Sequence, residues 1–151
     1  MMTTALALHS LAAIVWVGGM FFAIMVLRLA AGELEPPVRA PLWGRVFAKF
    51  FPWVWMAVIL LPLTGYAMIF GVWGGFAGLP LHIDLMHGLG LIMIAVYLHL
   101  WFAPYKRFRA ALAAGDIPAA GKQLNTIRLL VTTNLYIGLI TAVVGATGRY
   151  W

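Results

Sequence analysis

Four histidines sit inside segments that are otherwise almost wholly apolar: His9 near the start of the first segment, and His82, His87 and His99 in the third. Imidazole ligates iron, copper and zinc and exchanges protons near neutral pH. An ionisable side chain in lipid is expensive, so each of these positions is a functional-site candidate.

Depth sorts them. At about 1.5 Å per helical residue, His9 lies about a turn and a half inside the outer end of the first span, and His87 about as far inside the third. If those two helices face one another across a bundle, the imidazoles grip one iron from opposite sides, and haem b is the expected cofactor. Gly88 and Gly90 beside His87, and Gly18 and Gly19 below His9, allow close approach of a macrocycle. Trp16, seven residues from His9 and nearly on its face, could wall the haem. Asp84, one turn before His87, could orient that ring by accepting its second N–H; the plainer alternative is a solvated carboxylate favoured by the helix N-terminus.

His82 opens the third helix beside Pro80 and reads equally as a waterline residue or as a ligand for a propionate contact or an external metal. His99 lies about 18 Å beyond His87 and about 120° around the helix, so one haem cannot use both. A second haem would need Met20, Met25 or Met56 as its other axial ligand. A five-coordinate site, or a hydrogen bond to Asn134 or Tyr97, is the preferred account of His99. The methionine pairs Met20 and Met25, Met56 and Met68, and Met86 and Met93 could pass Cu(I) along a path, with His9, His82 and His87 at its mouth. Methionine is also ordinary apolar filler, and without a Met-x-x-Met or Met-x-x-x-Met cluster in the spans, filler is the simpler reading.

These residues must be positioned by transmembrane helices. The chain of 151 residues is 64% hydrophobic and 9% charged, far from the balance of a soluble domain. Its apolar runs predict spans over about 4–29, 45–72, 81–102 and 125–147, each near the length a bilayer requires. Pro52 and Pro62 kink the second, and Pro104 closes the third. A basic surface segment over about 105–117 follows. The fold class is therefore all-α, a single-domain integral membrane four-helix bundle. Nine of the ten basic residues, all but Arg149, fall on one side. That side is predicted to be cytoplasmic, with both termini on the outer, periplasmic side and Tyr150 and Trp151 as aromatic anchors there. The first eight residues carry no basic side chain, so the opening segment reads as a retained span of a multi-pass bacterial inner-membrane protein.

Arg28, Lys49 and Arg128 at the inner helix ends are expected to snorkel to headgroups, and Arg128 could instead meet a cofactor carboxylate. No cysteine is present, which excludes thiolate metal sites and thiol catalysis. The formal charge of +6 follows the topology and does not form a nucleic-acid face. No phosphate-binding glycine loop, Gly-x-Ser-x-Gly elbow or His-Glu-x-x-His helix occurs, which argues against hydrolases and nucleotide-driven pumps.

His9-Ser-Leu-Ala-Ala-Ile-Val-Trp16-Val-Gly18-Gly19-Met-Phe-Phe, followed by Arg28, resembles the opening helix of the CopD-like membrane proteins, a group that also looks related to the HemJ-type protoporphyrinogen oxidases. Tyr97-Leu-His99 and the stretch from Ile127-Arg128 to Asn134 extend the likeness. The resemblance implies a four-helix bundle, with copper handling on the CopD side and haem b and porphyrinogen oxidation on the HemJ side. His9 matches the first-helix histidine of the HemJ-type pattern, and His99 resembles the histidine of its Tyr-His segment. The lysine of that pattern early in the third span is absent, with His87 standing near its place, and its Asn-Glu pair in the fourth is not found.

The expectation is a haem b-binding membrane protein carrying electrons, an oxidoreductase candidate whose site is built from His9 and His87 with Trp16 and Asp84 beside them. A membrane quinone or respiratory partner would exchange those electrons. The alternatives are CopD-like copper transport or resistance, a HemJ-like oxidase, and an accessory subunit of a larger membrane complex; assembly as a homo-oligomer is a further partner expectation.

Overall fold

The computed structural model describes residues 1–150. It contains four long helices: α1 (Met2–Gly32), α2 (Pro36–Trp73), α3 (Leu81–Ala113) and α4 (Ile117–Tyr150). Each spans 31 to 38 residues, or about 46–57 Å at 1.5 Å per residue, which exceeds a hydrocarbon core of about 30 Å. Their ends therefore stand in the headgroup regions.

Local chemistry sets the boundaries. Glu35, in extended conformation, precedes Pro36 and Pro37, whose fixed φ suits the first turn of α2. Asp116 caps α4, its carboxylate accepting from the Ala119 N–H at 2.9 Å. Gly74, at φ 73°, ends α2 in the left-handed conformation that a side chain would disfavour.

Two helices run past the predicted spans at the basic end: α2 begins at Pro36 and α4 at Ile117. The third differs more. Pro104 does not close it, because the helix widens to a π turn over Trp101–Tyr105 that takes up the proline's missing N–H, and continues as Lys106–Ala113. The basic segment is thus the end of α3, with Phe108 fully buried and Lys106, Arg107 and Arg109 exposed.

The first helix packs along α2 and the third along α4, while α4 also touches α1 and α2. Met2 rests on Gly71 and His82 on Gly148, so both termini gather at one end of the bundle, opposite the basic end. Aromatic rings fill the centre. Phe47 and Phe51 stack at 5.0 Å, Tyr105 meets Phe51 edge-on at 4.7 Å, and Trp16 reaches across from α1 to Tyr97 at 6.2 Å. Large apolar side chains such as Leu11, Ile14, Leu63 and Leu129 point outward, an arrangement that requires lipid around it. Tyr150 is exposed at the terminal end, under the Arg149 guanidinium; Trp151 lies outside the described residues.

Candidate functional site

The half-buried His9 is held against α2 by a hydrogen bond of 2.9 Å between Nδ1 and Thr64 Oγ1, with the Leu61 backbone carbonyl also beside its ring. The Thr64 hydroxyl donates its proton to the Leu60 carbonyl at 2.6 Å. With that proton committed, Oγ1 can only accept, so the imidazole carries its proton on Nδ1 and leaves the Nε2 lone pair available. A ligating histidine is usually prepared this way, one nitrogen tied down so that the other can bind.

His87 is held differently. Its Nε2 lies 3.2 Å from the Tyr66 hydroxyl, and its ring meets Tyr66 at 5.6 Å and Phe76 at 5.3 Å. Whichever group donates, Nε2 is engaged. Of the two readings of Asp84, partner of His87 or solvated carboxylate, its exposure in the first turn of α3 fits the second, and among the described residues Tyr66 is the side chain hydrogen-bonded to His87.

Thr64 and Tyr66 are two residues apart on α2, about 200° around a helix. The two imidazoles are therefore bonded to residues on different faces of α2. The cavities described, of about 30 Å³ at the bundle centre and about 390 Å³ toward the basic end, are lined by neither histidine. The haem b and electron-transfer expectation finds no support in this placement. Trp16, read as a haem wall, is buried against Tyr97 and borders the small central cavity with Met20 and Asn134.

His99 is exposed on α3. Neither expected partner serves it, since Asn134 donates to the Met93 carbonyl at 3.2 Å and Tyr97 to the Phe51 carbonyl at 3.3 Å.

Sequence reasoning missed Thr64 and Tyr66. Their signal was available: hydrogen-bonding side chains two positions apart in an otherwise apolar half of α2. It named His82, Met86 and Met93 for a Cu(I) path but preferred filler for the methionines; the structure gathers the three into one stripe on α3. His82, Met86 and Met93 fall within about 40° of one another around the helix. Each lies in a notch on α4: His82 over Gly148, Met86 over Gly145 and Met93 over Gly138. A Cβ at Gly145 would stand 3.0 Å from the Met86 sulfur, and one at Gly138 would stand 3.0 Å from the Met93 methyl. Glycine leaves room for these side chains in the seam, and at Gly138 Val17 of α1 shares the notch.

Among the described residues, no group of three or more His, Cys, Asp or Glu side chains is placed to hold a metal ion. What the seam offers is one imidazole followed by two thioethers, a donor set suited to soft Cu(I) and poor for hard cations.

The family model for CopD, copper resistance protein D, matches residues 44–147. The chain belongs to the CopD family. No curated protein and no solved structure matches it. As a CopD-family chain with four apolar helices, it is a multi-pass protein of the inner membrane. The CopD match takes in Thr64, Tyr66, the His82–Met86–Met93 stripe and the likenesses around Tyr97 and Ile127; His9, with the helix that first suggested CopD, precedes it.

Proposed function

We propose that this protein handles copper, passing Cu(I) between the terminal end of the bundle and its interior along the α3–α4 seam. The observation that carries the reading is the stripe His82–Met86–Met93, seated on Gly148, Gly145 and Gly138 within the residues that the copper-resistance family model matches.

The chemistry follows from the donors. His82, at the end of the helix, offers a borderline nitrogen to an arriving ion. Met86 lies one turn deeper, about 6 Å along the axis, and Met93 about 10 Å beyond it. Neutral thioethers leave Cu(I) its single positive charge and hold it weakly enough to release, as conduction through successive sites requires. The Nε2 lone pair of His9, fixed by Thr64, supplies a further nitrogen donor at the same end of the bundle.

Copper(I) entry into proteoliposomes tests this. Leucine nearly matches methionine in volume and preserves packing while deleting the sulfur. The double variant Met86→Leu/Met93→Leu is expected to slow Cu(I) entry about tenfold, the factor given by losing about 1.4 kcal/mol of site affinity. Ag(I) should compete with Cu(I), because it is also a soft monovalent ion. Wild-type vesicles no faster than protein-free ones, or a double variant as fast as wild type, would refute the reading.

A further inference from the structure

The larger cavity opens toward the basic end, between α1, α2 and α4. It measures about 390 Å³ and is bordered by Arg28 from α1, Arg39 from α2, and Arg128 and Asn125 from α4. No acidic residue lines it. The Arg39 guanidinium reaches the Gly32 carbonyl only at 3.5 Å, a weak contact. Three guanidinium groups brought to one concavity repel one another unless an anion joins them, and their planar forks match phosphate oxygens in bidentate geometry.

The cavity is also two-sided. Above the arginines its wall becomes apolar, with Trp43, Phe47 and Val131, and Phe47 and Val131 continue into the small central cavity. A free phosphate would use the guanidinium groups and leave this wall bare. A lipid whose phosphate lies at the basic end and whose acyl chain runs toward the bundle centre would use both. The basic end is also where the positive-inside rule places the cytoplasmic leaflet, and basic pockets between helices on that side suit anionic head groups.

We propose that this cavity is a binding site for an anionic phospholipid, its phosphate held by Arg28, Arg39 and Arg128 and one acyl chain laid along the Trp43–Phe47 wall. The site is separate from the copper path and independent of it. Asn125 is placed to meet a head-group hydroxyl.

Native mass spectrometry of the full chain in detergent, with phosphatidylglycerol, phosphatidylcholine or inorganic phosphate added, tests the assignment. Wild type should retain phosphatidylglycerol in preference to phosphatidylcholine. Arg28→Gln/Arg128→Gln should lose that retention about tenfold or more, since each removes a charge-assisted contact. Arg107→Gln, exposed and away from the cavity, should not. If the double variant does not fold, Arg39→Gln at the mouth gives a smaller loss in the same direction. Equal retention of the two lipids, or variants that keep phosphatidylglycerol as wild type does, overturns the proposal. Displacement of the lipid by millimolar inorganic phosphate would assign the cavity to a free anion and overturn it as well.

Discussion

The sharpest consequence of the bundle's geometry concerns Thr64→Val. Valine keeps the shape of threonine and removes only the oxygen that accepts the His9 Nδ1–H at 2.9 Å. The Leu60 carbonyl, which receives the Thr64 hydroxyl at 2.6 Å, keeps its place in the α2 backbone ladder. The loss therefore falls on one interhelical bond between α1 and α2. Such bonds in membranes average about 0.6 kcal/mol and reach about 1.7, and a half-buried imidazole N–H left without its acceptor tends toward the upper part of that range. We expect destabilisation of about 1–1.7 kcal/mol, read from reversible unfolding in mixed micelles. Thr64→Ser, which keeps the oxygen, should recover most of it. A second readout does not depend on stability: ¹⁵N spectra of histidine should show His9 protonated on Nδ1 in wild type and in Thr64→Ser, and lose that preference in Thr64→Val. A wild-type His9 protonated on Nε2, or a Thr64→Val variant as stable as wild type, would refute the hydrogen-bond assignment and with it the claim that Nε2 is left available.

Two further substitutions probe the other polar contacts. Tyr66→Phe keeps the ring packing against Phe76 and His87 and deletes the 3.2 Å bond to Nε2; it should lower stability by about 0.6 kcal/mol in the same unfolding assay, the average for such bonds. Asn134→Leu should change stability by less than about 1 kcal/mol, because the lost bond to the Met93 carbonyl is offset by removing Oδ1, a buried acceptor with no partner among the described residues.

The limits of sequence reading in this chain follow from which coordinate a pattern encodes. Length and hydropathy encode position along the membrane normal. Four helices, the shared end of the termini and the depth of His9 and His87 follow from counting residues at a fixed rise. Pro104 was the exception, because a proline's effect depends on whether neighbouring turns can widen, and Trp101–Tyr105 do. Rotation about each axis is encoded far more weakly. A uniformly apolar span has no polar face to mark its orientation, and in lipid the usual hydrophobic signal between helices vanishes. Two histidines at one depth were therefore legible as a pair, while their attachment to different faces of α2 was not.

The same weakness hid the Met86 and Met93 seam. Taken one at a time, each methionine is filler of the kind any bundle contains. Their shared rotation, and that of Gly138, Gly145 and Gly148 opposite, appears only when α3 and α4 are laid together. In a membrane bundle the informative partner of a soft side chain is thus the glycine that makes room for it. A pairing of methionine or histidine on one span with glycine at seven- and three-residue steps on the next locates such a seam, because those steps keep one face. The rule distinguishes Met86 and Met93, which lie in glycine notches along one neighbouring helix, from Met25 and Met56, which are exposed on the outer surface where lipid is their natural neighbour; Met2, over Gly71, is a single contact with no second step.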